Sequence, residues 1–172
     1  VMTPNQLDQI KKEQRRSEVE ALRTRSEYKD VVEALDKVFE ILPAELHDFA
    51  KFGEIALAHE LGHTLVKGDK GADARDAEGK LYEYKVSITN QYNFNFNARF
   101  PSWEDNKARI KRHWENIEGA WIGQRDGMKI TDKAYVPTSI LLPYLLEHFE
   151  RTKGSQLNKN FRMQKFKELN NV

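Results

Sequence analysis

The sequence predicts an α/β (α+β) fold in one domain, with N-terminal helices followed by a mixed central sheet and flanking helices. Three observations predict this. Apolar residues recur at helical spacing over residues 31–42. Residues 81–89 and then 90–100 alternate between apolar and polar side chains, as strands do. A charged helical segment over residues 103–118 separates these strands from a buried run at 120–124, which predicts a crossover helix.

Three helices are expected before the sheet. Pro4 can begin the first, which continues to about Lys29 and carries only a thin apolar stripe. The second ends before Pro43, and the third runs over residues 44–62. Because so polar a helix is poorly held in a monomer, we expect residues 1–42 to provide a contact with a second subunit.

The remaining elements follow from turn signals. Asp126-Gly127 predicts a hairpin that leads into a strand over residues 128–136. A closing helix and a basic tail are expected over residues 137–172, after a catalytic core over residues 44–136.

Composition excludes several classes of protein. The net charge of +1 neither supports nor excludes a nucleic-acid partner, but six basic residues and no acidic one lie between Arg151 and Lys167. That run either faces phosphates or is a solvated segment. The chain has no cysteine, which excludes disulfides, thiolate zinc sites and a cysteine nucleophile. No apolar run is long enough to span a membrane and no signal-peptide pattern is present, so we expect a soluble, cytoplasmic protein.

One motif suggests zinc chemistry. Residues 59–63 read His-Glu-Leu-Gly-His, and two histidines one turn apart on a helix can share a zinc ion while the glutamate polarises a water. Val66 and Asp69 stand where one class of zinc proteases has glycine and histidine. The other interpretation is an amphipathic core helix that happens to carry two histidines. A zinc metalloprotease is therefore an alternative function.

A second motif suggests phosphodiester cleavage. A turn at Glu78-Gly79 places Asp73 on one strand and Glu83 on the next, with Lys85 on the same face as Glu83. Magnesium prefers carboxylate and phosphate oxygens. A lysine can orient or deprotonate the attacking water. Two carboxylates and an ammonium group at one point therefore predict a magnesium-dependent nuclease.

A Glu-x-Lys tripeptide alone is a weak signal. Residues 78–80 also match it, and residues 105–107 fit its aspartate variant. The first lies on the turn and the second near the start of a polar helix, so neither offers a rigid strand. Residues 83–85 combine a strand with an upstream aspartate, although a surface hairpin with an ordinary ion pair would show the same tripeptide.

Residues 71–73 (Gly-Ala-Asp) and 81–85 (Leu-Tyr-Glu-Tyr-Lys) resemble the PD-(D/E)XK nuclease superfamily, and within it the small, blunt-cutting type II restriction endonucleases. The resemblance is firm over residues 53–86 and faint elsewhere. Ala72 stands where the motif's name has proline, a departure that many members share. The resemblance implies a restriction-endonuclease-like fold.

The resemblance also implies the roles of individual residues. Asp73 and Glu83 would bind Mg²⁺, Lys85 would serve the attacking water, and a helix glutamate would complete the site. Glu54 is preferred over Glu60 for that last position. The implied partners are double-stranded DNA, a second copy of the chain, and a cognate DNA methyltransferase in the same system.

The strand after the motif predicts how DNA is read. Its amides and Arg99 share one face and its aromatic residues the other. Asparagine and glutamine pair with adenine, arginine pairs with guanine, and a β-ribbon fits the major groove. A polar edge strand is the alternative. The expected base contacts from this strand are Asn90, Gln91, Asn93, Asn95, Asn97 and Arg99. The expected phosphate contacts from the next helix are Lys107, Arg109, Arg112 and His113, and the alternative there is a solvated helix face.

We therefore expect a site-specific type II deoxyribonuclease that hydrolyses both strands of duplex DNA as a homodimer. Three alternatives remain open: a repair or structure-specific nuclease of the same fold, the zinc metalloprotease, and a DNA-binding module without catalysis.

Overall fold

The computed structural model describes residues 1–23, 34, 37–38, 40–41, 49–66, 71–152 and 156–171. The chain divides into two compact units, Val1–Asp48 and Phe49–Val172. Most of the second expected helix and the first residues of the third lie outside the described residues.

The first unit contains helix α1 (Pro4–Arg23). Its start is a capping box, in which the Thr3 N–H donates to Gln6 Oε1 at 2.8 Å and the Gln6 N–H donates to Thr3 Oγ1 at 3.3 Å. Proline at the first helical position is the predicted start. The expected continuation to Lys29 lies outside the described residues.

The second unit is α+β. Its described helices are α2 (Phe49–Leu61), α3 (Trp103–Trp114), α4 (Thr138–Thr152) and α5 (Met163–Glu168), followed by a 3₁₀ turn at Leu169–Asn171. Its described strands are β1 (Thr64–Leu65), β2 (Ala74–Arg75), β3 (Leu81–Ser87), β4 (Tyr92–Asn97), β5 (Ile117–Asp126), β6 (Lys129–Pro137) and β7 (Gln156–Phe161). Among the helices of the described residues, none has both the length and the apolar character needed to cross a membrane.

Five strands form a mixed sheet in the order β1-β2-β3-β5-β6. β3 and β5 are parallel, with Glu83 opposite Ala120 and Lys85 opposite Ile122, and the other neighbours are antiparallel. Parallel strands need a crossover, and α3 supplies it. Ser102 caps this helix, since its Oγ accepts the Asp105 N–H at 3.4 Å. The predicted mixed sheet and its crossover helix are confirmed.

The sheet is covered on both faces. On one face, Leu57 and Ala58 of α2 pack with Ala74, Tyr82 and Tyr84. The other face carries the larger core, to which β4, β5, α3, α4, β7 and α5 all contribute buried side chains, including Phe94, Ile110, Trp114, Ile122, Phe149 and Phe166. β3 is therefore a central strand that packs against residues on both faces of the sheet.

Glycines mark the two predicted hairpin turns and one close approach. Gly79 and Gly127 have φ of 84° and 58°, the left-handed region that glycine adopts at low cost. Gly53 lets α2 approach β3, because an added Cβ would lie 2.9 Å from Val86 Cβ.

Two expectations about the sheet and the C-terminus were wrong. β4 does not join the central sheet; it pairs with β7 in a separate antiparallel sheet. The expected basic tail after α4 is instead β7 followed by α5. Leu157, Phe161 and Phe166 are buried, so apolar burial holds this segment despite its run of positive charge.

Candidate active site

β3 presents Glu83 and Lys85 on the face of the sheet that carries the larger core. Tyr82 and Tyr84 point to the opposite face, as the period of two requires. Glu83 is only 9% exposed. Lys85 Nζ lies 3.1 Å from Glu83 Oε1 and 5.7 Å from the centre of the Phe94 ring. Packing thus holds an ion pair in place on a rigid strand.

Asp73 is brought to β3 by the pairing of the hairpin backbone. Its N–H donates to the Tyr82 carbonyl at 2.9 Å, and its Oδ2 accepts the Tyr84 N–H at 2.8 Å. Tyr84 is the residue between Glu83 and Lys85, so the structure brings together the three residues that the sequence singles out.

The two carboxylates repel each other in a desolvated place. Burial raises the pKa of Asp73 to about 7, and the negative charges of Glu83 and Glu54 add to this shift. Burial acts in the same direction on Glu83, but His113 and Lys85 hold the pKa of Glu83 below its usual value. Asp73 is thus the carboxyl group that stays protonated at weakly acidic pH, and a cation beside it favours its ionised form.

The structure separates the two glutamates proposed for the helix position. Glu54 lies near Asp73, since its charge raises the pKa of Asp73. Lys51 Nζ donates to both carboxylate oxygens of Glu54 at 2.9 Å. Glu60 is exposed and accepts from Lys133 Nζ at 2.6 Å. Lys51 is a member of the site that the sequence did not indicate, because a lysine one turn before a glutamate is common on helices.

His113 lies beside Glu83. Its Nε2 is 3.7 Å from Glu83 Oε2, which is too long for a hydrogen bond. Glu83 Oε2 is buried and has no hydrogen-bond partner among the residues that the structure describes. Gly71 makes room for the imidazole, since an added Cβ would lie 2.7 Å from His113 Nδ1 and the glycine φ is 73°. One buried carboxylate oxygen of the site is therefore available to a cation.

A cavity of about 270 Å³ opens over the ion pair of Glu83 and Lys85. It extends from β3 to the end of β4 and the inner side of α3. Its walls are formed by Glu83, Lys85, Phe94, Asn95, Phe96, Asn97, Arg99, Arg109, His113 and Trp114. Of the candidate carboxylates, Glu83 thus shares one cavity with the candidate base-reading strand.

β4 and β7 form a two-stranded sheet with one apolar and one amide face. Tyr92 and Phe94 are buried, whereas the predicted Asn93, Asn95 and Asn97 are exposed. The strand pairing adds two amides that the sequence analysis missed. Asn160 is opposite Asn93 and Asn158 is opposite Asn95, and both are exposed. We call these five asparagines the amide face.

The amides of β7 left a signal in the sequence. Residues 157–161 alternate as Leu-Asn-Lys-Asn-Phe, a strand pattern of period two. The basic residues around this segment favoured its interpretation as a charged tail.

Asn90 and Gln91 precede this sheet. Asn90 has φ of 56°, and its Oδ1 accepts the Met163 N–H at 2.9 Å. Its side chain therefore ties the start of β4 to α5. Gln91 is exposed.

The basic residues expected to contact phosphates divide into two groups. Arg109 and His113 line the cavity, and so does Arg99 at the end of β4. Arg112 is exposed and Lys107 is half-buried, and neither lines this cavity.

The structure does not place both histidines of the His-Glu-Leu-Gly-His motif on one helix. α2 ends at Leu61 and Gly62 has φ of 67°, so His63 lies beyond the helix. His63 Nδ1 is 2.7 Å from the Tyr84 hydroxyl, and its ring stacks on Tyr82 at 4.9 Å. His59 is exposed. The two imidazoles therefore do not share one helical face, which the zinc-protease arrangement requires.

No group of three or more histidine, aspartate or glutamate side chains suited to a metal ion occurs in the described part of the chain.

Neither protein-family models nor curated protein sequences match the chain. Function must therefore be inferred from the geometry and chemistry of the site itself.

Proposed function

We propose that this protein is a magnesium-dependent type II endonuclease of double-stranded DNA, with a restriction-endonuclease-like fold. The observation that carries the proposal is the proximity of three residues: Asp73 accepts a hydrogen bond from the backbone of β3, and Glu83 and Lys85 of β3 pair with each other and line a polar cavity. A buried ion pair could be structural, but the buried Glu83 Oε2 without a hydrogen-bond partner supports a cation site.

Asp73 and Glu83 fit the donor set that magnesium commonly takes from a protein, one or two carboxylates with phosphate oxygens and waters completing the shell. When bound, magnesium would stabilise the negative charge that develops on the phosphate and make a water more acidic. Lys85, held 3.1 Å from Glu83 Oε1, would orient the attacking water, and its positive charge would stabilise the hydroxide that forms as that water releases a proton to solvent. Glu54 would add negative charge at Asp73, and Lys51 holds Glu54 in place.

Sequence reading would fall to the amide face. Its five asparagines alternate on two paired strands, and a two-stranded ribbon fits the major groove. Each asparagine can pair bidentately with an adenine edge. This surface favours a site-specific nuclease over a repair or structure-specific one, which has less use for base contacts.

Cutting both strands of a palindromic site would require two copies of the site, so the proposal includes a homodimer. It also includes a methyltransferase of the same specificity, which would protect the cell's own DNA. The first unit of the chain remains the proposed dimer contact, and sedimentation with limited proteolysis tests it: a monomer with a protease-sensitive N-terminus would contradict it.

The test is cleavage of a mixed-sequence plasmid by the wild-type chain with magnesium, by the wild-type chain with EDTA, and by Glu83→Gln. We expect discrete fragments in the first reaction and intact plasmid in the other two. Loss of one carboxylate charge at a metal site removes the metal's stabilisation of the transition state, so the effect should be complete on the assay's scale.

Glu78→Gln is the matched control, because residues 78–80 repeat the Glu-x-Lys pattern on an exposed turn. It should cut like the wild-type chain. Intact plasmid in all reactions, together with stoichiometric zinc that disappears in His59→Ala, would replace this proposal with the zinc hypothesis. Tight binding of duplex DNA by the wild-type chain without cleavage would indicate a DNA-binding module without catalysis.

A further inference from the structure

Two arginines face the cavity from different elements. Arg99 follows β4, and Arg109 lies in the middle of α3. Both form part of the cavity wall together with Glu83 and Lys85. The Arg109 guanidinium donates to the Asn97 carbonyl, and its Nε is buried with no hydrogen-bond partner in the described part of the chain.

The two guanidinium groups are close enough to repel each other. Burial lowers the pKa of Arg109, and the positive charge of Arg99 lowers it further. In the part of the chain that the structure describes, neither arginine forms an ion pair with a carboxylate. Two neighbouring guanidinium groups without a carboxylate ion pair of their own suit an anion, which relieves their mutual repulsion and accepts their N–H groups.

The pair is held by a built scaffold. Asn106, only 4% exposed, accepts the backbone N–H groups of Arg99 and Phe100 at 3.0 and 3.1 Å. Its amide nitrogen donates to the carbonyls of Phe100 and Ser102 at 2.8 and 3.0 Å. The segment that carries Arg99 is therefore fixed to the helix that carries Arg109 before any ligand arrives.

We infer that Arg99 and Arg109 together hold one phosphate of the DNA backbone, between the catalytic carboxylates and the amide face. This inference rests on the proposed function and deepens it. It changes the role of Arg99 from guanine reading to phosphate binding. The phosphate fixes the strand so that the next phosphodiester bond lies over Glu83 and Lys85, because all four side chains line the same cavity.

The test compares Arg99→Gln, Arg109→Gln, the double variant and the control Arg75→Gln. Arg75 is exposed on β2 and does not line the cavity. Binding of a mixed-sequence duplex is measured in EDTA over a range of salt concentrations. Each cavity variant should weaken binding about tenfold and reduce the salt slope by roughly 1, while the control keeps both values.

The double variant distinguishes a shared phosphate from two separate contacts. If one phosphate is shared, the double variant should lose less affinity than the sum of the single losses. Additive losses, or single losses no larger than that of the control, would overturn the inference. Circular dichroism of each variant checks that it is folded.

A small probe separates this inference from the proposed function. Thymidine 3′,5′-bisphosphate should bind the wild-type chain in calorimetry, and Arg109→Gln should abolish the binding. If the probe behaves so but the wild-type chain cuts no DNA, the phosphate site stands and the nuclease proposal fails. If the wild-type chain cuts DNA but the arginine variants bind duplex and probe unchanged, the nuclease stands and the phosphate site fails.

Discussion

β3 and the β4–β7 sheet share a pattern of period two but use it in opposite ways. β3 is covered on both faces, and its charged residues lie in a desolvated place where Glu83 is 9% exposed. The small sheet buries only its aromatic face and leaves the amide face exposed. A buried carboxylate interacts more strongly with a cation, which suits the proposed metal site, whereas the proposed base reading requires side chains that reach outward.

The largest expected effect concerns chemistry at β3. Lys85→Met should lower the cleavage rate by about 100- to 10,000-fold, because the attacking water loses the group that orients it and stabilises its loss of a proton. Binding of duplex in EDTA should change little. Single-turnover cleavage and duplex binding measure the two quantities separately. Equal losses in both would mean that Lys85 acts as a phosphate contact and that β3 binds rather than cuts.

The second prediction concerns the desolvation of Asp73, which lies beside β3. Because the folded pKa of Asp73 is about 7, above its usual 3.8, the folded chain holds a proton there that the unfolded chain releases. The free energy of unfolding of the metal-free protein should therefore fall between pH 4 and pH 7 by roughly 1–3 kcal/mol from this group, and stay low above pH 7.

Asp73→Asn should remove that fall, since the amide oxygen still accepts the Tyr84 N–H and carries no charge. Urea unfolding of both proteins in EDTA at pH 4, 6 and 8 provides the comparison. Parallel pH profiles for the two proteins would show that Asp73 has an ordinary pKa and that the site is well solvated.

The third effect concerns the amide face. Asn95→Ala and Asn158→Ala should each weaken binding to the preferred sequence by about 10- to 100-fold, as loss of one bidentate base contact does. Binding to unrelated duplex should be unchanged. Competition between cut and uncut sequences measures the ratio of the affinity for the preferred sequence to the affinity for unrelated duplex. If only the β4 variant loses specificity, then β7 supports the reading strand and does not read bases itself.

The smallest effect distinguishes structure from recognition at the start of β4. Asn90→Ala should lower the free energy of unfolding by about 1–2 kcal/mol, because it loses the bond to the Met163 N–H and strains a left-handed backbone. Sequence preference should not change. A changed preference with unchanged stability would place Asn90 among the base-reading residues after all.

Much of the central sheet was predictable. Alternation along β3, the two turn glycines and the charged helix between parallel strands are local signals, and each depends on residues near in sequence. The pairing of Asp73 with β3 was predictable for the same reason, since a short hairpin joins them.

The C-terminal strand was not predictable in the same way. The pairing of β4 with β7 joins residues about sixty positions apart, as Asn95 with Asn158, and local pattern says nothing about distant partners. The zinc motif, which the sequence left as an alternative, shows a limit of local patterns. The positive φ of Gly62 ends α2 before His63. The spacing of two histidines four residues apart does not show where a helix ends.

The sequence by itself determined which residues could carry this chemistry: Asp73, Glu83 and Lys85 on a hairpin, and an alternating row of asparagines. Only the tertiary structure decided that Glu54 rather than Glu60 lies near Asp73, that His113 lies beside Glu83, and that Arg99 and Arg109 share one cavity. The physical reason is that strand periodicity is a property of the local backbone. Burial and charge proximity depend on which distant segments pack together.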